Sequence, residues 1–121
     1  DAVLFVTPEY LRAIPGVLKN AIEGGARPYG KNSWGGKPGA VAGVLAGAIG
    51  TAVAQSQLRS IAPVLDIALI SQPELYLSLK PGQIAENGDV ADETLKALLT
   101  TFVDRFSAWI ARLEQKPALQ F

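Results

Sequence analysis

The chain contains no cysteine, no histidine and no methionine. Without Cys and His there is no thiol nucleophile and no imidazole base for a hydrolytic triad. Zinc fingers, iron–sulfur clusters and haem held by His or Cys are excluded with them. No disulfide can form, so nothing points to an oxidising compartment. Long apolar runs are also lacking: Gly, Pro or a charged residue interrupts each one before the roughly 18 residues that a bilayer span requires. Neither sign of charge prevails, with 11 Lys plus Arg against 11 Asp plus Glu. A neutral chain has no field to gather nucleic acid or an anionic membrane, and no acidic electron-carrier surface. With neither Cys nor His to act as nucleophile or base, any chemistry at this protein is expected to fall to a bound cofactor.

What remains is rich in apolar residues. The 121 residues are 49% hydrophobic and 18% charged, against roughly 25% charged in an average domain. That balance predicts one domain with a buried core, not disorder. Ala2-Val3-Leu4-Phe5-Val6 is a continuous apolar run, the pattern of a parallel strand buried on both faces. Such a strand needs neighbours on both edges. The chain opens on it without an initiator Met, which leads to the expectation of a C-terminal portion of a longer domain with its first two strands missing.

Pro8 ends this strand, and Pro15 suits the first position of a helix that Gly24-Gly25 stops. Residues 26–39 read as a long surface loop carrying Arg27, Tyr29, Lys31 and Trp34. A wall of a ligand pocket, a subunit contact and a solvated loop all fit those four residues. Further strands are expected at residues 40–45 and 67–70 and an extended stretch at 75–79, with a helix over 51–61. Pro81-Gly82 and Asn87-Gly88 mark turns. Leu95, Leu98, Leu99, Phe102, Phe106, Trp109, Ile110 and Leu113 recur at helical spacing, so the last helix is expected to bury that stripe. Pro117 is expected beyond its end. Alternating strands and helices predict an α/β fold with a parallel sheet.

Ligands of open parallel sheets bind beyond the carboxyl ends of the strands. Here those ends are Thr7-Pro8-Glu9-Tyr10 and Leu45-Ala46-Gly47-Ala48-Ile49-Gly50. Tyr10 offers a ring for stacking, and Gly47 and Gly50 allow close approach of backbone to a flat ligand. Asp66 reads as a turn or helix-end residue, and Phe106 and Trp109 as core.

The segment Thr7-Pro8-Glu9-Tyr10, with Arg12, Ile14-Pro15-Gly16 and Leu18-Lys19-Asn20-Ala21-Ile22, resembles the NADPH-dependent FMN reductases. That family includes flavodoxin-like quinone, chromate and azo reductases. Gly36-Lys37-Pro38, Gly47-Ala48-Ile49-Gly50, Gln55, Leu58-Arg59 and Gln72-Pro73-Glu74 extend the likeness over almost the whole chain. The resemblance implies a flavodoxin-like doubly wound parallel sheet of which residues 1–121 form the C-terminal part. It implies FMN as cofactor, NADPH or NADH as co-substrate, and a quinone, azo compound, metal oxyanion or flavin as small-molecule acceptor. It further implies a cytoplasmic homodimer or homotetramer, with no nucleic-acid or membrane partner. Flavin contacts fall on Pro8, Glu9, Tyr10, Leu11, Leu45, Ala46 and Gly47, with no catalytic side chain and no metal ligand. Leu11 stands where the family usually has Asn, Leu45 and Ala46 stand where a Ser and its neighbour are common, and Thr51 replaces the second Gly of a pair. The family's phosphate-binding segment has no counterpart in the chain. A non-catalytic flavodoxin-like fragment or assembly module that does not retain FMN alone is the alternative reading.

Overall fold

The structure, a computed structural model, describes residues 1–114. Pro117 lies outside the described residues. The elements are β1 (Val3–Thr7), α1 (Gly16–Gly25), β2 (Pro38–Val44), α2 (Ala52–Ile61), β3 (Ala68–Leu69), β4 (Tyr76–Leu77) and α3 (Glu93–Glu114). All strand pairings are parallel, with β2 at the centre. The alternation of apolar strands with amphipathic helices therefore produces the doubly wound layering expected of it.

The two helical layers divide the core. Phe5 and Val41 on one face of the sheet pack with Ile22 of α1 and with Ala54 and Leu58 of α2. On the opposite face, Ala40 and Ala42 of β2 meet Leu75 and Phe102, with Leu98, Leu99 and Phe106 of α3 around them. The stripe read along the last helix is thus its buried seam. Trp109 closes the far end of that seam by donating its Nε1–H to the Ala68 carbonyl at 2.8 Å.

Three readings are corrected. The first strand was expected to be buried on both faces, yet Leu4 is 46% and Val6 66% exposed. Their register partners are Ala40 and Ala42, so they face the α3 side, where α3 lies across β2 and leaves β1 uncovered. The third strand and the extended stretch after it are two halves of one edge. β3 pairs with Pro38 and Gly39, and β4 pairs with Gly43 and Val44, along the side of β2 opposite β1. Pro73 lies in the excursion between them and cannot donate to a ladder. Trp34, left open in the long loop, turns inward: its Nε1–H donates to the Ile22 carbonyl at 2.9 Å and its ring sits 5.7 Å from that of Phe5.

The remaining turns follow their residues. Asp66 occupies a left-handed turn and its carbonyl accepts from Gly36 N–H. Asn87-Gly88 reverses the chain between Ile84 and Val90. Among the described residues no helix is long and apolar enough to cross a membrane.

α3 begins at a side-chain cap. Asp92 Oδ1 accepts from the Leu95 N–H at 2.8 Å, which satisfies one of the unpaired donors of the first helical turn. That bond, with a second from the Gln83 amide, holds the Asp92 carboxyl below the ordinary Asp range. A carboxyl that ionises more readily when folded adds stability above its ordinary pKa of about 4, and the contribution is lost as pH falls through the lower folded value. Asp92→Asn keeps an oxygen acceptor and removes this titration. Thermal melts from neutral to acid pH are expected to show the native midpoint falling more steeply than that of Asp92→Asn below about pH 4.

Candidate functional site

Two loops converge at the carboxyl ends of the paired strands β1 and β2, where Thr7 lies opposite Gly43. The first covers residues 7–13. Tyr10 N–H donates to Ala13 O at 2.8 Å, and Ala13 N–H donates back to Tyr10 O at 3.0 Å. The two residues between them, Leu11 and Arg12, have φ of 52° and 64°. This is the backbone of a tight two-residue hairpin turn, which glycine and Asn favour. Leu11 is 100% exposed and Tyr10 61% exposed, so both side chains stand clear of the fold.

Glu9 does the opposite. Its side chain is buried, and Oε1 accepts from the Ala54 N–H at 2.8 Å. The carboxylate therefore caps the first turn of α2 from another segment, where the helix dipole favours negative charge. Arg12 Nη1 lies 3.6 Å from Glu9 Oε2. A second tie runs from the Ile14 N–H to Gln57 Oε1 at 2.9 Å. The first loop is thus fastened to the helix that follows the second loop. The binding role expected of Glu9 is left to its backbone, because the carboxylate is already engaged.

The second loop covers residues 45–51. The N–H groups of Ala46, Gly47, Ala48 and Ile49 have no hydrogen-bond partner among the described residues, and residues 46–48 are exposed. Ser78 Oγ, just past β4, donates to the Gly47 carbonyl at 2.7 Å and fixes the loop. Gly50 has φ of 58°, and a Cβ there would meet the Tyr76 carbonyl at 2.6 Å, so only glycine fits. Thr51 has φ of 69° and is fully buried. Its Oγ1 accepts from Gln55 Nε2 at 2.9 Å, and the same Nε2 donates to Leu75 O at 2.6 Å. Gln55 thereby ties α2 to the edge of the sheet. In the segment leading into β4, hydrogen bonding with Tyr76 draws the Glu74 carboxyl below its usual range, and the same interaction pushes the Tyr76 phenol up.

The structure brings Pro8, Glu9, Tyr10, Leu11, Leu45, Ala46 and Gly47 to one end of the sheet. Tyr29 of the long loop is exposed to solvent. Glu9 as a cap, Gln55 as a brace and Ser78 as an anchor are not visible in spacing, since each depends on a partner more than 15 residues away. The two departures at Leu11 and Thr51 did carry a signal. Asn and Gly at those positions are the residues that left-handed backbone favours.

Chemically, the site offers unpaired N–H donors, an exposed phenol ring and apolar surface at Leu11 and Leu45. Among the described residues no three His, Cys, Asp or Glu side chains gather as metal ligands. Such a set suits a flat conjugated ligand bearing hydrogen-bond acceptors, held by backbone and stacking.

The family model for NADPH-dependent FMN reductases matches residues 1–82. A 2-hydroxy-1,4-benzoquinone reductase from Burkholderia is 50% identical over 110 residues, 91% of this chain and 60% of that protein. A quinone reductase from Pseudomonas putida is 47% identical, covering 91% of this chain and 59% of its own. Among solved structures, FerB, a flavoenzyme NAD(P)H:(acceptor) oxidoreductase from Paracoccus denitrificans, superposes with a TM-score of 0.88 at 45% identity. That match covers 92% of this chain and 61% of FerB. The fold is flavodoxin-like. The chain spans about three-fifths of the length of these relatives.

Two substitutions separate the two roles of the first loop. Glu9→Ala leaves the Ala54 N–H without its acceptor and is expected to lower stability by about 2 kcal/mol, with Glu9→Gln losing less than half of that. Leu11→Asn relieves left-handed backbone at an exposed position and is expected to raise stability by about 0.5–1 kcal/mol. Urea unfolding followed by circular dichroism measures both.

Proposed function

The chain belongs to the family of NADPH-dependent FMN reductases, and we propose that it holds FMN at the carboxyl ends of β1 and β2 within a NAD(P)H-dependent oxidoreductase. The observation that carries this reading is the run of four unpaired N–H groups from Ala46 to Ile49 beside the exposed Tyr10 ring. Backbone donors of that kind pair with the carbonyl and ring-nitrogen acceptors of an isoalloxazine. Pro8, Glu9, Tyr10 and Leu11 would support one side of the flavin, Glu9 through its backbone alone. Leu45, Ala46 and Gly47 would support the neighbouring side.

Bound there, FMN would supply the two-electron redox step between a reduced nicotinamide and the acceptor. The protein's share is to place the ring, donate hydrogen bonds to it and shield it from water. This division of work fits a chain without His or Cys. A quinone is the favoured acceptor, because the similar proteins from Burkholderia and Pseudomonas putida are named for quinone reduction. Azo compounds, metal oxyanions and free flavin are the other acceptors within the proposal. NADPH or NADH serves as the hydride donor in a cytoplasmic setting.

Residues 1–121 form the C-terminal part of a single flavodoxin-like domain in this reading. Exposed apolar side chains at Leu4, Val6 and Val103 would be covered by the preceding part of the domain, by a second copy in a homodimer or homotetramer, or by both.

The test compares the chain alone with the chain joined to the part of the Burkholderia relative that the match leaves out. The joined protein is expected to take up FMN, shown by quenched flavin fluorescence, and to oxidise NADPH only when a benzoquinone is supplied. Tyr10→Ala is expected to weaken FMN binding by about tenfold through loss of the ring contact. A joined protein that is folded and stays colourless with excess FMN overturns the proposal and leaves a non-catalytic flavodoxin-like module.

A further inference from the structure

We propose that the cleft between β3 and the C-terminal half of α3 binds a small planar aromatic anion, a carboxylate or sulfonate carried on one or two fused rings. The cleft lies toward the end of β2 where Pro38 and Gly39 pair with β3, whereas the loops described above lie at its other end. It has a volume of 350 Å³, within the range of small-molecule sites. Leu69 and Ile70 form its apolar floor, and Trp109 lines it. The Trp109 N–H is already committed to the Ala68 carbonyl, so the indole presents only carbon surface in a fixed orientation.

Arg105 and Arg112 complete the lining. They are seven residues apart on α3, two helical turns and about 10 Å along its axis, with Trp109 between them. No acidic side chain lines the cleft, and neither guanidinium has an acidic partner among the described residues. Asp104, adjacent to Arg105 in sequence, turns about 100° round the helix and lines a different depression with Val103. From the opposite face of the sheet, Arg59 Nη1 donates to the Ile70 carbonyl at 3.2 Å, and its charge is shared with Glu74, whose carboxylate accepts from the Gln72 amide at 3.1 Å.

A solvated helical face would interleave its charges, as Lys19 and Glu23 do on α1 at 3.1 Å. Here like charges flank hydrocarbon instead. The combination matches a ligand with an aromatic body for the indole and floor, and an anionic group for one or both forks of the guanidinium pair. An acidic peptide would satisfy the arginines and leave the apolar floor and the indole face uncovered, so the small aromatic anion is favoured. Nothing in this inference depends on flavin binding, and it stands or falls separately.

The probe is naphthoate, titrated into the chain and followed by the two tryptophan indole N–H resonances, with Trp109→Phe identifying which is which. The Trp109 signal is expected to shift saturably while that of Trp34, packed against Phe5 on the other side of the sheet, stays in place. Arg105→Gln with Arg112→Gln, both on the exposed helix surface, is expected to weaken binding by about tenfold or more. The charge-conserving Arg105→Lys with Arg112→Lys is expected to retain most of it. Naphthalenemethanol, the neutral analogue, is expected to bind at least about tenfold more weakly. Absence of a saturable Trp109 shift, equal shifts with the neutral analogue, indifference to the Gln pair, or a response to hexaglutamate alone would each overturn the proposal.

Discussion

One buried carboxylate holds the working end of this molecule together. Glu9 leaves β1, turns away from solvent and meets the amide of Ala54 in the first turn of α2. A helix start needs an acceptor, and a buried carboxylate needs donors; each need is met by the other. The consequence is that the two loops at the sheet's carboxyl end share a support. The hairpin turn at Leu11-Arg12 cannot shift without disturbing the start of α2, and the backbone donors of Ala46 to Ile49 lead directly into that same helix. Ser78 just after β4 and Gln55 from α2 complete the arrangement by fixing the second loop to the edge of the sheet. The exposed Tyr10 and the unpaired amides are therefore presented from a braced frame, as a ligand held mainly by backbone requires.

The fold class was legible because apolar runs and helical stripes are local signals. Residues 2–6 and 40–45 were read within two residues of β1 and β2 at each end, and the stripe from Leu95 to Leu113 predicted α3 and its buried seam. The interrupted edge was harder. Ile67 to Ile70 and Leu75 to Leu79 look like separate elements in sequence, and only register along β2 shows that they share one side of it. Burial of β1 was overestimated for a related reason. An apolar run reports that a strand can be covered on both faces, while the cover itself depends on where α3 crosses the sheet.

The site was legible as two loops and not as a set of interactions. Glu9 in a Pro-Glu-Tyr turn looks solvated, and its partner is 45 positions away. Trp34, in a loop of Gly, Lys and Asn, gave no sign that it would pack on Phe5. Leu11 and Thr51 were visible as departures from the family pattern, and the structure supplies their meaning: both occupy left-handed backbone, at φ of 52° and 69°. Thr51 is compensated by burial and by its bond with Gln55. Leu11 has no such compensation.

The divided edge of the sheet has a consequence for where further strands can pair. β3 and β4 contribute two residues each and are separated by an excursion containing a proline, so that side offers no continuous row of amides and carbonyls to another strand. The side of β1 away from β2 is five residues long and regular. Among the described residues, a further strand can pair along that border and not along the divided one. A sheet receptive along one border and blunted along the other can be extended in one direction only, and its divided edge stays closed to edge-to-edge pairing with another molecule.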